Sequence, residues 1–321
     1  VDRGAEHGLQ VLMTTHSPSL ASSLKLENLV LVRNGRAFPM GREHTLLAPD
    51  DYAFLERFLD ATKANLFFAR GVIIVEGDAE NILLPTLARL IGRDLARHGV
   101  SVVNVGGTGL GRYGRIFQRR AADEQGLLNV PVACMTDMDV MPDCAPAILG
   151  LTAPDGSVPT KSSRRWRKKD DFEDDGLESQ RASIAARATG QSVRTFVADE
   201  WTLEYDLAHF GLAREVWIAA DLAIADERIH AGRVTVADVL RTSIRTFRDL
   251  SDLNPESRST SVYAKYRGGA SKAIAAQYLA ALLDRAVDRG RLPPATLREL
   301  LPPYVRATID YATGNAGDAP A

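Results

Sequence analysis

Residues 71–80 read GVIIVEGDAE, five small or branched apolar residues and then three acids within five positions. A continuous apolar run this short, β-branched and closed by Gly77, suits a strand buried on both faces. Such a strand needs a layer above and a layer below it, and the sequence supplies both. A helix from about 78 to 97 carries Ile82, Leu83, Leu87, Leu90 and Ile91 at helical spacing. Strand SVVNV (101–105), a helix ending near 125, strand VPVACMTDMD (130–139), a loop over 152–176, a helix (177–189) and strand SVRTFVAD (192–199) follow. Strands alternating with helices predict an α/β fold, a mostly parallel sheet flanked by helices. From 202 onward the pattern is helical (202–210, 213–230, 234–250, 269–289 and 294–311, broken at Pro302-Pro303), an appended helical subdomain. Upstream, QVLMTT (10–15) reads as a strand, ENLVLVRNGRAF (27–38) as a hairpin around Asn34-Gly35, and 50–63 as a helix.

In a parallel sheet, ligands bind beyond the carboxyl ends of the strands. Glu76 ends one strand, and Glu80, one turn into the next helix, shares its face. Asp137 and Asp139 close the apolar strand VACMT; two apart on an extended segment, they point the same way. If those strands are neighbours, four carboxylates converge. Unpaired, they repel each other and take up protons, whereas a hard divalent cation with oxygen ligands removes the conflict. The expectation is a Mg²⁺ or Mn²⁺ site. Asp78 fits an ordinary helix N-cap.

The 321 residues carry 39 Lys+Arg against 41 Asp+Glu, a net charge of −2, so any basic footprint for nucleic acid has to be local. Cys134 and Cys144 lie outside any CxxC or Cys/His metal spacing and read as free thiols of a reducing cytosol. No apolar run reaches the length of a membrane span, so the expected location is cytoplasmic, with no membrane partner. The opening VDRGAEHGLQ reads like the interior of a longer protein.

The pair of motifs, Glu76-Gly77-Asp78-Ala79-Glu80 and the later Asp137-Met138-Asp139, resembles the Toprim domain shared by topoisomerases, primases and some nucleases. The resemblance implies that Glu76 acts in acid/base chemistry or binds metal, and that Asp137 and Asp139 hold metal. Upstream, VLMTTHSPSLAS resembles the stretch of ABC-type ATPases in which a His, here His16, senses the nucleotide. No GxxxxGK[ST] is present, so His16 would be a remnant. Downstream, WTLEYDLA (201–208) resembles a motif of the overcoming-lysogenization-defect (OLD) family of ATPase–Toprim nucleases. There Glu204 and Thr202 would help ligate a second metal. From helix propensity alone, Thr202 is an N-cap and Glu204 a solvated first-turn acid. GGASKAIAAQYLAALLD is similar to that family's late helix, which implies a catalytic role for Lys272 in offsetting charge during phosphoryl transfer. The plain alternative is a surface lysine near a helix start.

This resemblance divides the chain into 1–48, a remnant of an ABC-type ATPase domain; 49–65, a linker helix; 66–206, the Toprim core; 207–260, a helical insert; 261–312, a helical segment completing the active site; and 313–321, a disordered tail. It implies a metal-dependent DNA endonuclease or nickase. Two Mg²⁺ or Mn²⁺ ions about 4 Å apart would be held by Glu76, Glu80, Asp137, Asp139, Thr202 and Glu204, one activating water and one stabilising the leaving oxygen. It also implies DNA as partner, an ATP-regulated antiphage or DNA-processing context, a helicase partner as in the class encoded beside a helicase-like gene, and homodimerisation through the missing ATPase part. Tyr113, Tyr205, Tyr263 and Tyr266 match no topoisomerase nucleophile motif, and no zinc module supports a primase.

For DNA contact, KSSRRWRKK (161–169) offers Arg164, Arg165, Arg167, Lys168 and Lys169 beside Trp166, with DDFEDD following at once. Arg241, Arg245 and Arg248 are a second candidate. Two rival functions stand. GLGRYG (109–114) spells the dinucleotide fingerprint, with Asp137 or Asp139 placed for a ribose hydroxyl, although it leaves Glu76, Glu80 and Glu204 without a role. A catalytically degenerate Toprim that only binds DNA is the other; retention of the acids counts against it.

Overall fold

The computed structural model describes residues 11–107 and 109–314. The chain enters through α1 (Pro18–Ser22) and a hairpin of β1 (Val30–Arg33) and β2 (Arg36–Pro39), followed by α2 (Pro49–Phe58). Asn34 and Gly35 both take positive φ, +48° and +74°, the turn that an Asn-Gly pair favours between antiparallel strands. Two βα units follow: β3 (Gly71–Val75), α3 (Asp78–Leu90), β4 (Val100–Asn104) and α4 (Leu110–Arg115). After α5 (Ala122–Gln125) come β5 (Val132–Thr136), the two-residue β6 (Val140–Met141), α6 (Ala145–Ile148), β7 (Arg167–Lys168), α7 (Gly176–Ala186) and β8 (Val193–Val197). The remainder is helical: α8 (Leu203–Leu207), α9 (Ala213–His230), α10 (Val236–Phe247), α11 (Pro255–Arg267), α12 (Lys272–Asp288), α13 (Pro294–Leu300) and α14 (Pro303–Ala312).

The central sheet has the order β4-β3-β5-β8, every pair parallel. Alternation along each strand builds two cores. Ile73, Val75, Ala133 and Met135 face one layer with α3, α9, α12 and α14, while Val72, Ile74, Val132 and Cys134 face the other with α2, α4 and the N-terminal hairpin. Ala21, Leu26, Phe38 and Met40, from the segment read as an ATPase remnant, belong to that second core. The α/β fold with a parallel sheet between helices and a C-terminal helical region is therefore what the sequence implied.

Several local expectations fail for physical reasons. Residues 11–15 form no strand: Val11, Leu12 and Met13 are 60%, 90% and 60% exposed, and no described strand offers them a ladder. The first long helix stops at Leu90, because Gly92 takes φ +79° and turns the chain. The cap of that helix is Gly77 rather than Asp78, whose carboxylate instead accepts a hydrogen bond from Asn104 Nδ2 at 2.7 Å. Helix α11 has no counterpart in the sequence reading. Of the expected disordered tail, Thr313 is buried and donates to the Ile309 carbonyl, and residues 315–321 lie outside the described residues. Both cysteines are free thiols. No helix among the described residues is long and apolar enough to cross a membrane.

Candidate active site

The sheet's topology dictates where a site can lie. From β3 the chain crosses to β4 on one side, and from β5 it crosses to β8 on the other, so the crevice opens between the carboxyl ends of β3 and β5. The register Ile74↔Cys134 continues to set Glu76 opposite Thr136. The Thr136 hydroxyl donates to Glu76 Oε2 at 2.5 Å, tying the first acid to the strand that delivers Asp137.

The second half of the site is stitched on by the backbone beyond β8. Ala198 N donates to the Thr136 carbonyl at 2.9 Å, Met138 N to the Trp201 carbonyl at 3.0 Å, and Leu203 N to Asp137 Oδ1 at 3.2 Å. These bonds hold α8 against the β5 loop, with Glu204 in its first turn. Asp206, fully buried, accepts from Glu200 N at 3.1 Å and Trp201 N at 2.9 Å and so fixes the turn that enters α8. Thr202 is the N-cap of α8, its hydroxyl accepting from Tyr205 N at 3.4 Å.

The carboxylates feel one another. Burial pushes Glu76 above the usual glutamate range; Asp139 adds to the rise, while Thr136 and Arg187 oppose it. Glu80 is raised by burial, then by Glu204 and Glu76, against its own backbone hydrogen bond and Lys272. Asp137 is raised furthest, by burial and then by Glu204, Glu80 and Asp139, with Lys272 opposing. Glu76, Glu80, Asp137, Asp139 and Glu204 thus form one electrostatically coupled cluster. Glu80 Oε2 lies over Gly77, where an added Cβ would come within 2.7 Å of it.

Asp137 and Asp139 do not point the same way. The strand ends at Thr136, and Asp139 takes φ +58°, so the side chains diverge: Asp137 turns inward toward α8 and Asp139 is exposed at the mouth. An aspartate tolerates this conformation at a modest cost, and such strain gathers at functional sites. Glu204 is not a solvated acid: it is 5% exposed, with Lys272 Nζ 2.9 Å from its Oε2 and no hydrogen-bond partner on Oε1. Lys272 opens α12; burial pulls it down, but Glu204 and Asp137 hold it charged above the usual lysine range.

Among the described residues, no three His, Cys, Asp or Glu side chains are placed so that together they could hold a metal ion as they stand. The donor set nonetheless suits a hard cation: it consists entirely of oxygen, it is over-acidic, and it includes a buried carboxylate with an orphaned oxygen. Sequence reasoning did not find Thr136, Asp206 or Tyr304. The Tyr304 hydroxyl, buried and without a partner among the described residues, lies within the field of Asp206, Asp137, Glu80 and Glu204. No local motif marks these three; only the fold brings them to the acids.

The basic loop is largely neutralised, by Asp170 and Asp171 within it and by Asp143, Glu200 and Glu256 from neighbouring segments. Arg164 pairs with Asp171 at 2.5 Å and stacks on Trp166, Lys168 pairs with Asp143 and Asp170, and Lys169 pairs with Glu200 and Glu256. Arg165 and Arg167 are exposed, the latter over Phe172. The glycines of GLGRYG serve packing. A Cβ on Gly111 would meet the Arg187 carbonyl at 2.9 Å, and one on Gly114 would meet Val193 and Cys134. The stretch follows β4, an edge strand, rather than the strands that bound the crevice.

Residues 67–139 match the family model described as Overcoming lysogenization defect protein-like, TOPRIM domain. This segment is similar to an OLD-like Toprim domain. The match spans β3 to the acids after β5, so it contains Glu76, Glu80, Asp137 and Asp139 and leaves Thr202, Glu204 and Lys272 outside. No curated protein sequence matches the chain. Among solved structures, the C-terminal region of the Xanthomonas campestris pv. campestris OLD protein is similar at 21% identity over 78% of this chain and 94% of that one, with a TM-score of 0.40. The C-terminal region of the Burkholderia pseudomallei OLD protein is similar at 24% identity over 76% of this chain and 97% of that one, with a TM-score of 0.38.

Proposed function

We propose that the Toprim domain and the helices that follow it form a Mg²⁺- or Mn²⁺-dependent DNA endonuclease. The observation that carries this reading is the coupled cluster of Glu76, Glu80, Asp137, Asp139 and Glu204 at the switch point of the sheet. Bound divalent ions supply an activated water and neutralise charge on the phosphate. The chain's own residues do the rest. Glu76 and Asp139 at the mouth, and Asp137, Glu80 and Glu204 deeper in, are the oxygen donors. Thr136 orients Glu76 through Oε2, and the Leu203 amide orients Asp137 through Oδ1, so each keeps a second oxygen outside those bonds to offer a cation. Lys272 brings an ammonium to the cluster and would offset phosphoryl charge. Thr202, held as an N-cap, takes part through its capping of the Glu204 helix. DNA would lie across the mouth, with Arg165 and Arg167 as the basic residues still facing solvent. The ATPase remnant, a helicase partner, dimerisation through a further ATPase part and an antiphage context belong to the same proposal.

Plasmid nicking tests it. Supercoiled DNA incubated with the chain and Mg²⁺ or Mn²⁺ is expected to be nicked. Glu76→Ala and Asp137→Ala are each expected to lower the rate by more than about 100-fold, beyond what loss of an outer-shell partner typically costs. Cleavage that survives chelator, or survives both substitutions, rules the proposal out.

A further inference from the structure

The two ends of the acid cluster are not equivalent. At the mouth, Glu76 accepts from Thr136, and Asp139 is exposed; among the described residues no cation lies within ion-pair distance of either. At the inner end a cation is already seated. Lys272 Nζ sits 2.9 Å from Glu204 Oε2, and its charge acts on both Glu204 and Asp137. The other donors there are partly committed, Asp137 Oδ1 to the Leu203 amide and the Thr202 hydroxyl to the Tyr205 amide. A divalent ion drawn to Glu204 Oε1, which has no hydrogen-bond partner, would lie beside the ammonium on Oε2, and their repulsion in a buried pocket is poorly screened.

The geometry points to Lys272 as a built-in occupant of the inner cation position, so that the site loads one ion freely at Glu76 and Asp139 and admits a second at Glu204 only as Lys272 leaves. This inference rests on the metal-dependent reading above and adds an order of loading to it. The Lys272 side chain as a whole is 45% exposed, so it has solvent to swing into, and leaving would rehydrate an ammonium that burial disfavours beside Glu204. Lys272 is the first residue of α12, next to Gly268-Gly269 with Gly269 at φ +108°, and its Nζ lies 5.9 Å from the centre of the Tyr263 ring, whose face offers an alternative seat. The same movement would free the charge for an incoming phosphate, coupling the second ion to substrate.

The test is Mn²⁺ binding to the whole chain without DNA, followed by electron paramagnetic resonance of free Mn²⁺. Wild type is expected to bind one ion well and a second at least tenfold more weakly. Lys272→Met, which empties the inner position, is expected to tighten the second ion by about tenfold, the scale of one charged hydrogen bond. Lys272→Arg, which keeps the charge, is expected to leave it weak. Arg267→Met, which removes an exposed charge near Tyr263 but not from Glu204, separates occupancy from general electrostatics and is expected to change it by less than about twofold. Equal affinity for both ions in wild type, or a second ion unmoved by Lys272→Met, overturns the inference and leaves the nuclease reading standing. Failure of wild type and Lys272→Met alike to bind any Mn²⁺ overturns both.

Discussion

A carboxylate that loses water and gains acidic neighbours keeps its proton to higher pH. Glu76, Glu80 and Asp137 are all in that position. Each has a folded-state pKa above its unfolded value, so the stabilising protonated form is complete below about pH 4 and is lost as pH rises through the raised values. The metal-free chain is therefore expected to lose stability from these groups as pH rises toward neutral, and Mn²⁺ to restore it most at the upper end. Binding must also expel whatever protons remain. Calorimetry in two buffers of different protonation enthalpy is expected to show more protons released, and weaker affinity, at acid pH than at neutral; no release at any pH would contradict the coupling. Much of this residue-level picture is legible in the sequence, because an acid closing an apolar strand before a glycine has few structural reasons to be there. The burial of Glu204 is not. In sequence it is a first-turn acid of a short helix, and only the bonds from Ala198 and Leu203 to Thr136 and Asp137, with the one from Met138 to the Trp201 carbonyl, carry it inward.

At the scale of elements, α14 closes the sheet from one side, and its last carbonyl lies on the start of β3. A Cβ on Gly71 would come within 2.1 Å of the Ala312 carbonyl oxygen, a backbone atom that cannot yield unless the helix shifts. Gly71→Ala is expected to cost about 1–3 kcal/mol or more, the range for overpacking a tight core. Gly290, at φ +65° with open space around it, serves as control, and its substitution by Ala is expected to cost about 1 kcal/mol. Denaturant midpoints of the two variants decide; equal midpoints would mean that α14 does not seat on β3. The main strands and long helices are legible from periodicity, with β3, β4 and β8 found within two residues of their true ends and β5 carried three residues too far, to Asp139. Helix α11 is hidden because its inner face is polar. Ser259 and Thr260 are buried there with their hydroxyls bonded to the Pro255 and Glu256 carbonyls at 2.8 Å, so the helix satisfies in itself what the sequence displays as surface. The stretch read as a strand over 10–15 misleads in the opposite sense: its described part, 11–15, has no ladder among the described residues.

At the scale of the whole molecule, the site is a product of connectivity. Three segments far apart in sequence, ending at Glu80, Asp139 and Lys272, meet because β3 and β5 are neighbours and because α12 packs on both α3 and α9. Alternation of strands and helices revealed the layers, but the strand order, and with it the crevice between β3 and β5, follows from pairing that no local pattern encodes. A divalent cation is what this convergence is proposed to hold. Anomalous diffraction from a crystal of the chain soaked in Mn²⁺ measures that directly. A manganese peak bounded by Glu76, Asp137 and Asp139 is expected, and it should disappear in Asp137→Ala; a crevice that stays without a peak while manganese binds elsewhere on the molecule would show that the acids hold no cation.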